Sequence, residues 1–222
     1  MAAIQYPRKL KTADNRAFLG AQGSGKGHRM KEYLRPESRL LVWDSMQDDW
    51  NKEKCRVIVG SMGELARLVT SAPRFRVAYV PQGAGGSKEM RQEFNVFCRL
   101  AHQVGRMAVA VDEADEVTSP QYAPPAWRSL GGRARHAGLR VCAATHSPNE
   151  IDGKFLTNCR HIICGRLEEP AHIAKMSKII GPEWGAKLQT LPDWVQIHKS
   201  RDGIELLTAK AKLPPALIVA EP

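Results

Sequence analysis

Gly20-Ala21-Gln22-Gly23-Ser24-Gly25-Lys26-Gly27 follows a short apolar run, Arg16–Leu19, and opens a segment with helical spacing, Lys26–Leu34. A G-x-x-x-x-G-K pattern between a strand and a helix is the context in which a loop folds around phosphates. Glycines let the backbone curl so that successive N–H groups point inward, and the helix N-terminus adds partial positive charge there. Lys26 then meets the β- and γ-phosphates as a point charge. Gly20, Gly23, Ser24, Gly25, Lys26, Gly27 and His28 are therefore the candidate nucleotide-binding residues. Gly27 stands where a Ser or Thr usually ligates magnesium, which leaves Ser24 or His28, or water and Asp112, to assist the metal.

Further along, Met107–Val111 is an unbroken apolar run that ends in Asp112-Glu113. This is a Walker B arrangement, expected on a strand next to the phosphate-loop strand. Asp112 would stand by magnesium, and Glu113 beside the water that attacks the γ-phosphate. The letters Asp112-Glu113-Ala114-Asp115 also spell a helicase box, but such helicases need two tandem motor domains, and one is the expectation for 222 residues. The run Leu139–Ala144 ends in Thr145-His146-Ser147-Pro148, where His146 would sense the γ-phosphate and position water between the two Walker strands. A second glycine cluster, Gly83-Ala84-Gly85-Gly86-Ser87, has Lys88 where a dinucleotide fingerprint needs glycine, so it reads as a flexible connection.

Apolar runs alternate with helical stretches throughout, which predicts an α/β fold with a mainly parallel sheet. The remaining strands are expected at Arg39–Trp43, Arg56–Val59, Phe75–Val80 and His161–Cys164. Helices are expected at Met62–Thr70, Ser87–Val104, Ala126–Ala137, Glu150–Thr157 and Pro170–Ile180. Met90, Phe94, Phe97 and Ala101 make one buried face of the long helix. Trp194–His198 and Ile204–Leu207 read as a terminal hairpin around Arg201-Asp202-Gly203. The expected organisation is an N-terminal arm (1–15), a motor domain (16–201), and a C-terminal hairpin and extended tail (202–222).

The chain is 43% hydrophobic and 25% charged, ordinary for a globular protein. Its five cysteines include no Cys-x-x-Cys pair, so reduced core thiols are expected. On a strand, Cys159 and His161 face one way and Cys164 the other, which argues against a shared metal. No apolar stretch reaches the ~20 residues that cross a bilayer. The formal charge of +10 points to a polyanionic partner, most simply nucleic acid.

With these motifs in order, the chain resembles the HerA–FtsK superfamily of ring-forming DNA pumps. The resemblance runs from Arg16 to about Arg201. It is carried by Gly132-Arg133-Ala134-Arg135-His136-Ala137-Gly138-Leu139, then Thr145-His146-Ser147-Pro148, Ile151-Asp152 and Asn158-Cys159-Arg160-His161-Ile162. His146 stands where the superfamily usually has glutamine. Within it, the chain looks most like the small genome-packaging ATPases of membrane-containing icosahedral phages and archaeal viruses. That resemblance implies a RecA-like P-loop NTPase fold (ASCE type) with ATP and Mg²⁺ as cofactors. It implies a hexameric or pentameric ring around double-stranded DNA, working in the host cytoplasm or at a virion vertex with capsid or portal-vertex proteins.

The resemblance also implies an arginine finger at Arg160, at the entrance to a strand on the sheet margin, with Arg135 in reserve. Arg160 paired with a nearby carboxylate such as Glu168 is the structural alternative. Lys88, Arg91, Arg128 and Arg133 are candidate channel contacts to DNA. Two other readings stand beside packaging: a zonula occludens toxin-like assembly ATPase, and a nucleotide-dependent DNA or capsid adaptor that does not pump.

Overall fold

The computed structural model describes residues 9–10, 13–47, 50–83, 86–208, 210–211 and 213. Most of the expected N-terminal arm, Ala84 and Gly85 of the second glycine cluster, and the tail from Pro214 lie outside the described residues. Nine strands form one sheet: β1 (Arg16–Leu19), β2 (Arg39–Asp44), β3 (Arg56–Val59), β4 (Phe75–Val80), β5 (Met107–Asp112), β6 (Leu139–Thr145), β7 (His161–Cys164), β8 (Gln196–Lys199) and β9 (Ile204–Leu207). Seven helices are interleaved among the described residues: α1 (Lys26–Leu34), α2 (Met62–Ser71), α3 (Lys88–Val104), α4 (Pro125–Arg133), α5 (Gly153–Asn158), α6 (Pro170–Ile180) and α7 (Pro182–Gly185). The spatial order is β3-β4-β2-β5-β6-β1-β7-β8-β9. The pairings from β3 across to β7 are all parallel, and β8 and β9 join by antiparallel pairing.

The unbroken apolar strands follow from burial on both faces. Along β5, Ala108 and Ala110 join a cluster with Phe18, Met30 and Leu34 under α1. Met107, Val109 and Val111 face the larger cluster of Trp43, Phe94, Phe97, Trp127 and Phe155 under the helices of the opposite face. Serine caps start two of those helices: Ser61 accepts from the Glu64 amide at 3.3 Å, and Ser87 from the Met90 amide at 3.1 Å.

Two expectations about strand position are corrected. The Walker B strand β5 is not the neighbour of β1, because β6 pairs with both and lies between them. From β1 the chain leaves through α1 to β2 and skips two places in the sheet, which β5 and β6 then fill. Nor does β7 lie at the sheet margin, since β8 and β9 cover it. The reason lies in its composition: Ile162 and Ile163 are buried on opposite faces, and an edge strand apolar on both sides would template further pairing.

At the N-terminal ends of β1, β6 and β7 lies a buried polar network that no sequence pattern announces. Arg16 Nε donates to Asp14 Oδ1 at 3.1 Å, and Arg140 pairs with Glu37. Tyr33 of α1 accepts from Arg140 Nη1 at 2.7 Å and lies 3.2 Å from Asp14 Oδ2. The network thus fastens the helix that carries the phosphate loop. Beside it, His161 Nδ1 lies 3.0 Å from His198 Nε2, and His198 Nδ1 lies 3.0 Å from Glu205 Oε1. Two neutral rings satisfy this chain: His198 donates to Glu205 and accepts from His161.

Burial and then the Arg16 charge push His161 down from 6.5 to about 3, against the pull of Asp14. An unfolded histidine takes up its proton near pH 6.5, whereas the folded one resists until about pH 3. The resulting stabilisation is present above pH 6.5 and is lost as pH falls through that window. His161→Gln is expected to flatten the fall of melting temperature between pH 6.5 and 4, and parallel melting curves for both proteins would refute the assignment.

Candidate nucleotide site

α1 begins without a side-chain cap. Gly25 takes the cap position at φ 85°, a conformation that suits glycine, and no acidic residue lies in the first turn. The amide donors that Ser61 and Ser87 occupy elsewhere are thus left to a ligand at this helix. At the start of the loop, Gly20 has φ 148° and a Cβ there would collide with the Ser24 hydroxyl. Ser24 is 1% exposed and its Oγ has no hydrogen-bond partner among the described residues. It packs beneath the loop against Gly20 and Gly165, which counts against a role for it at the metal. His28 is exposed and meets the Trp194 ring.

Because β6 separates the Walker strands, the ends of β5 and β6 converge on Lys26. Glu113 follows β5 with φ 48° and ψ 64°, a left-handed conformation that non-glycine residues adopt uncommonly. Its Oε1 lies 3.3 Å from Lys26 Nζ, and its Oε2 lies 2.9 Å from His146 Nδ1. Burial pushes the Glu113 carboxyl up, but Lys26 and then His146 outweigh it and hold it below its ordinary value. His146 is correspondingly raised, first by its bond to Glu113, against the effect of burial.

Sequence reading missed Asp115 as part of this site. Its Oδ1 accepts from the Thr145 hydroxyl at 2.6 Å, and its Oδ2 lies 3.5 Å from His146 Nδ1. Burial foremost, with the Glu113 charge adding, raises Asp115 despite the Thr145 bond. The signal was present as a second acid two residues after Glu113, but its placement depends on the 3₁₀ turn Ala114–Glu116. Asp112 is 4% exposed, on the α1 side of the sheet, and accepts from the Trp50 indole at 3.3 Å. Asp44 stands beside it in register on β2.

The other candidates lie elsewhere. Arg160 precedes β7 and its amide donates to Asn15 O at 2.9 Å, so it stands at the N-terminal ends of β1 and β7, opposite its own phosphate loop. Glu168 does not pair with it, because Arg160 precedes β7 and Glu168 follows that strand, where it lies 3.6 Å from Arg166. Arg135, whose carbonyl accepts from the Leu10 amide at 2.8 Å, stands at the same far end before β6. Lys88, Arg128 and Arg133 are exposed on the adjoining helices α3 and α4. Arg91 is half-buried, its guanidinium 5.3 Å from the centre of the Tyr122 ring.

A parallel sheet, a bare glycine loop at the end of β1, one strand between the Walker strands and an acid after Asp112 together define a RecA-like P-loop NTPase fold. The solved structures that resemble the chain agree. The genome packaging NTPase B204 of Sulfolobus turreted icosahedral virus 2, in complex with AMPPCP, superposes with a TM-score of 0.71 at 19% identity, covering 92% of this chain and 98% of that one. VirB4 of Thermoanaerobacter pseudethanolicus superposes with a TM-score of 0.69 at 10% identity, covering 90% of each chain. In sequence, protein P9 of Pseudoalteromonas phage PM2 is 28% identical over 154 residues, 67% of this chain. The match spans just under two thirds, 66%, of that relative's length. No family model matches the chain. Viral genome-packaging ATPases, the likeness drawn from motif order, are thus among the proteins that the whole chain resembles.

Proposed function

We propose that this chain is an ATPase that packages a viral genome by translocating double-stranded DNA. The observation that carries the proposal is the Lys26–Glu113–His146 cluster at an uncapped helix N-terminus, on a fold shared with a protein described as a genome packaging NTPase. In this reading the loop amides and Lys26 bind the triphosphate. Lys26 is then drawn from Glu113 to the phosphates, and the freed carboxylate orients the attacking water and accepts its proton. His146 holds the other Glu113 oxygen, so the carboxylate keeps its direction while Lys26 changes partner.

Magnesium takes oxygen ligands and retains much of its water. Asp112 offers a hard carboxylate donor, whereas Gly27 offers none. The donors present fit an ion held by the phosphates and by water that Asp112 receives. When bound, it would neutralise charge on the β- and γ-oxygens.

The reading extends to a homo-oligomeric ring acting at a capsid vertex. Among the described residues no helix is long and apolar enough to cross a membrane. ATP turnover by the purified chain, measured with and without double-stranded DNA, tests the proposal. Stimulation by DNA fits a pump, and turnover indifferent to DNA fits the adaptor.

DNA binding without sequence preference is expected to weaken steeply with salt. Each phosphate neutralised by groups such as Lys88, Arg128 and Arg133 lowers the slope of log affinity against log salt by about 0.9. A flat response would assign the positive charge to a protein partner.

A further inference from the structure

Glu113 and His146 close the phosphate loop on the side of β5 and β6. On its other side, where β7 and β8 end and begin, lies Trp194. A Cβ built on Gly25 would stand 3.0 Å from Trp194 Cε3, so the indole lies against the cap of α1. His28, one turn into that helix, meets the indole edge-on with centroids 5.1 Å apart and planes at 79°. Trp194 is 45% exposed, although Trp43, Trp50 and Trp127 are all buried. Its φ of 70° is an outlier for so large a side chain. The backbone around it is fixed: Val195 donates to Pro192 O at 3.2 Å, and Asp193 pairs with Arg166 at 3.2 Å. The Arg166 carbonyl in turn accepts from the Ala21 amide of the loop at 2.8 Å.

A strained, solvent-facing indole held against a ligand loop calls for a functional account. The direction of the bound triphosphate supplies one. A triphosphate with its γ-phosphate toward Glu113 would send its α-phosphate and nucleoside away from β5 and β6, toward the β7–β8 side where the indole stands.

We propose that Trp194 is the platform on which the nucleobase stacks, and that the site selects purine over pyrimidine nucleoside triphosphates. The inference rests on reading Gly20–Gly27 as the phosphate loop. Base–aromatic stacking scales with ring overlap and tolerates different hydrogen-bonding edges. ATP and GTP therefore bind comparably, and both bind more tightly than UTP. His28 fixes the indole through its edge contact.

The test uses calorimetric titration of the full chain with ATP, GTP, UTP and inorganic tripolyphosphate, which has phosphates and no base. Trp194→Ala is expected to weaken ATP binding about 10-fold or more, toward the affinity of tripolyphosphate, while tripolyphosphate binding stays unchanged. Trp194→Phe should retain most of the ATP affinity. KM should rise in Trp194→Ala with little change in kcat, because stacking is the same in ground and transition states. ATP should quench indole fluorescence in the unchanged protein and much less in Trp194→Ala. ATP binding unaltered in Trp194→Ala, or UTP matching ATP, overturns the inference and leaves the phosphate loop standing. Unchanged protein that binds neither ATP nor tripolyphosphate overturns the phosphate loop, and the inference with it.

Discussion

Glu113→Gln is expected to bind ATP as tightly as the unchanged protein and to hydrolyse it about 10²–10⁴-fold more slowly. The amide keeps the size of the carboxylate and loses the ability to accept a proton from water. In the proposed mechanism the loss falls on the transition state, because Glu113 would face the water and Lys26 the phosphates. Lys26→Ala removes instead the cation that the phosphates need, and tight binding should go with turnover. The present pairings sharpen the contrast. Lys26 lies 3.3 Å from Glu113, so Glu113→Gln removes a competitor for the lysine and should tighten ATP binding if it changes it at all. Normal turnover by Glu113→Gln, measured as phosphate release, would remove Glu113 from the mechanism and leave Asp115 as the nearest remaining acid.

The phosphate loop and the acidic pair were legible because each is a local pattern with a local cause. Glycine spacing sets a backbone shape, and an apolar run ending in acids sets a strand and its terminus. The boundaries of β1, β3, β4, β7, α1 and α6 were legible for the same reason: these strands are short runs rich in apolar residues, and the two helices begin at local signals, the glycine loop and Pro170. What could not be read depended on residues far apart in sequence. Trp194 meets Gly25 across 169 positions of chain, and Arg140 meets Tyr33 across 107. No periodicity encodes such a meeting. Strand order was misread at β5 and β7 because pairing partners are chosen by topology after the strands exist. Ser24 looked like a ligand because it is a hydroxyl in the loop, and only burial against Gly20 and Gly165 turns it inward.

Arg160→Ala is expected to bind ATP normally and to lose about 10³–10⁵-fold in turnover, the range in which arginine fingers act. Arg160 stands before β7, at the end of the strands opposite its own loop, and the four residues of β1 alone put about 13 Å between the two ends. It therefore has no route to its own γ-phosphate, and a catalytic role has to be exercised on a neighbouring subunit. Arg160 lines a cavity of about 580 Å³ together with Lys178, Lys199 and Arg201. Its Nε is buried without a hydrogen-bond partner among the described residues. The structural alternative was pairing with a nearby carboxylate such as Glu168, and Glu168 lies beyond the other end of β7, beside Arg166. A planar guanidinium suits the charge spread over a transferring phosphoryl group. The deciding measurement mixes subunits. Arg160→Ala and Lys26→Ala should each be inactive alone, but in mixed assemblies of the proposed ring some boundaries would join an intact phosphate loop to an intact Arg160. Turnover should return there in proportion to the fraction of such boundaries. Mixed rings that stay silent, with mixing verified by differently tagged subunits, would return Arg160 to a structural role. Full activity of Arg160→Ala alone would do the same, and Arg135→Ala would then be the variant to carry through the same mixing series.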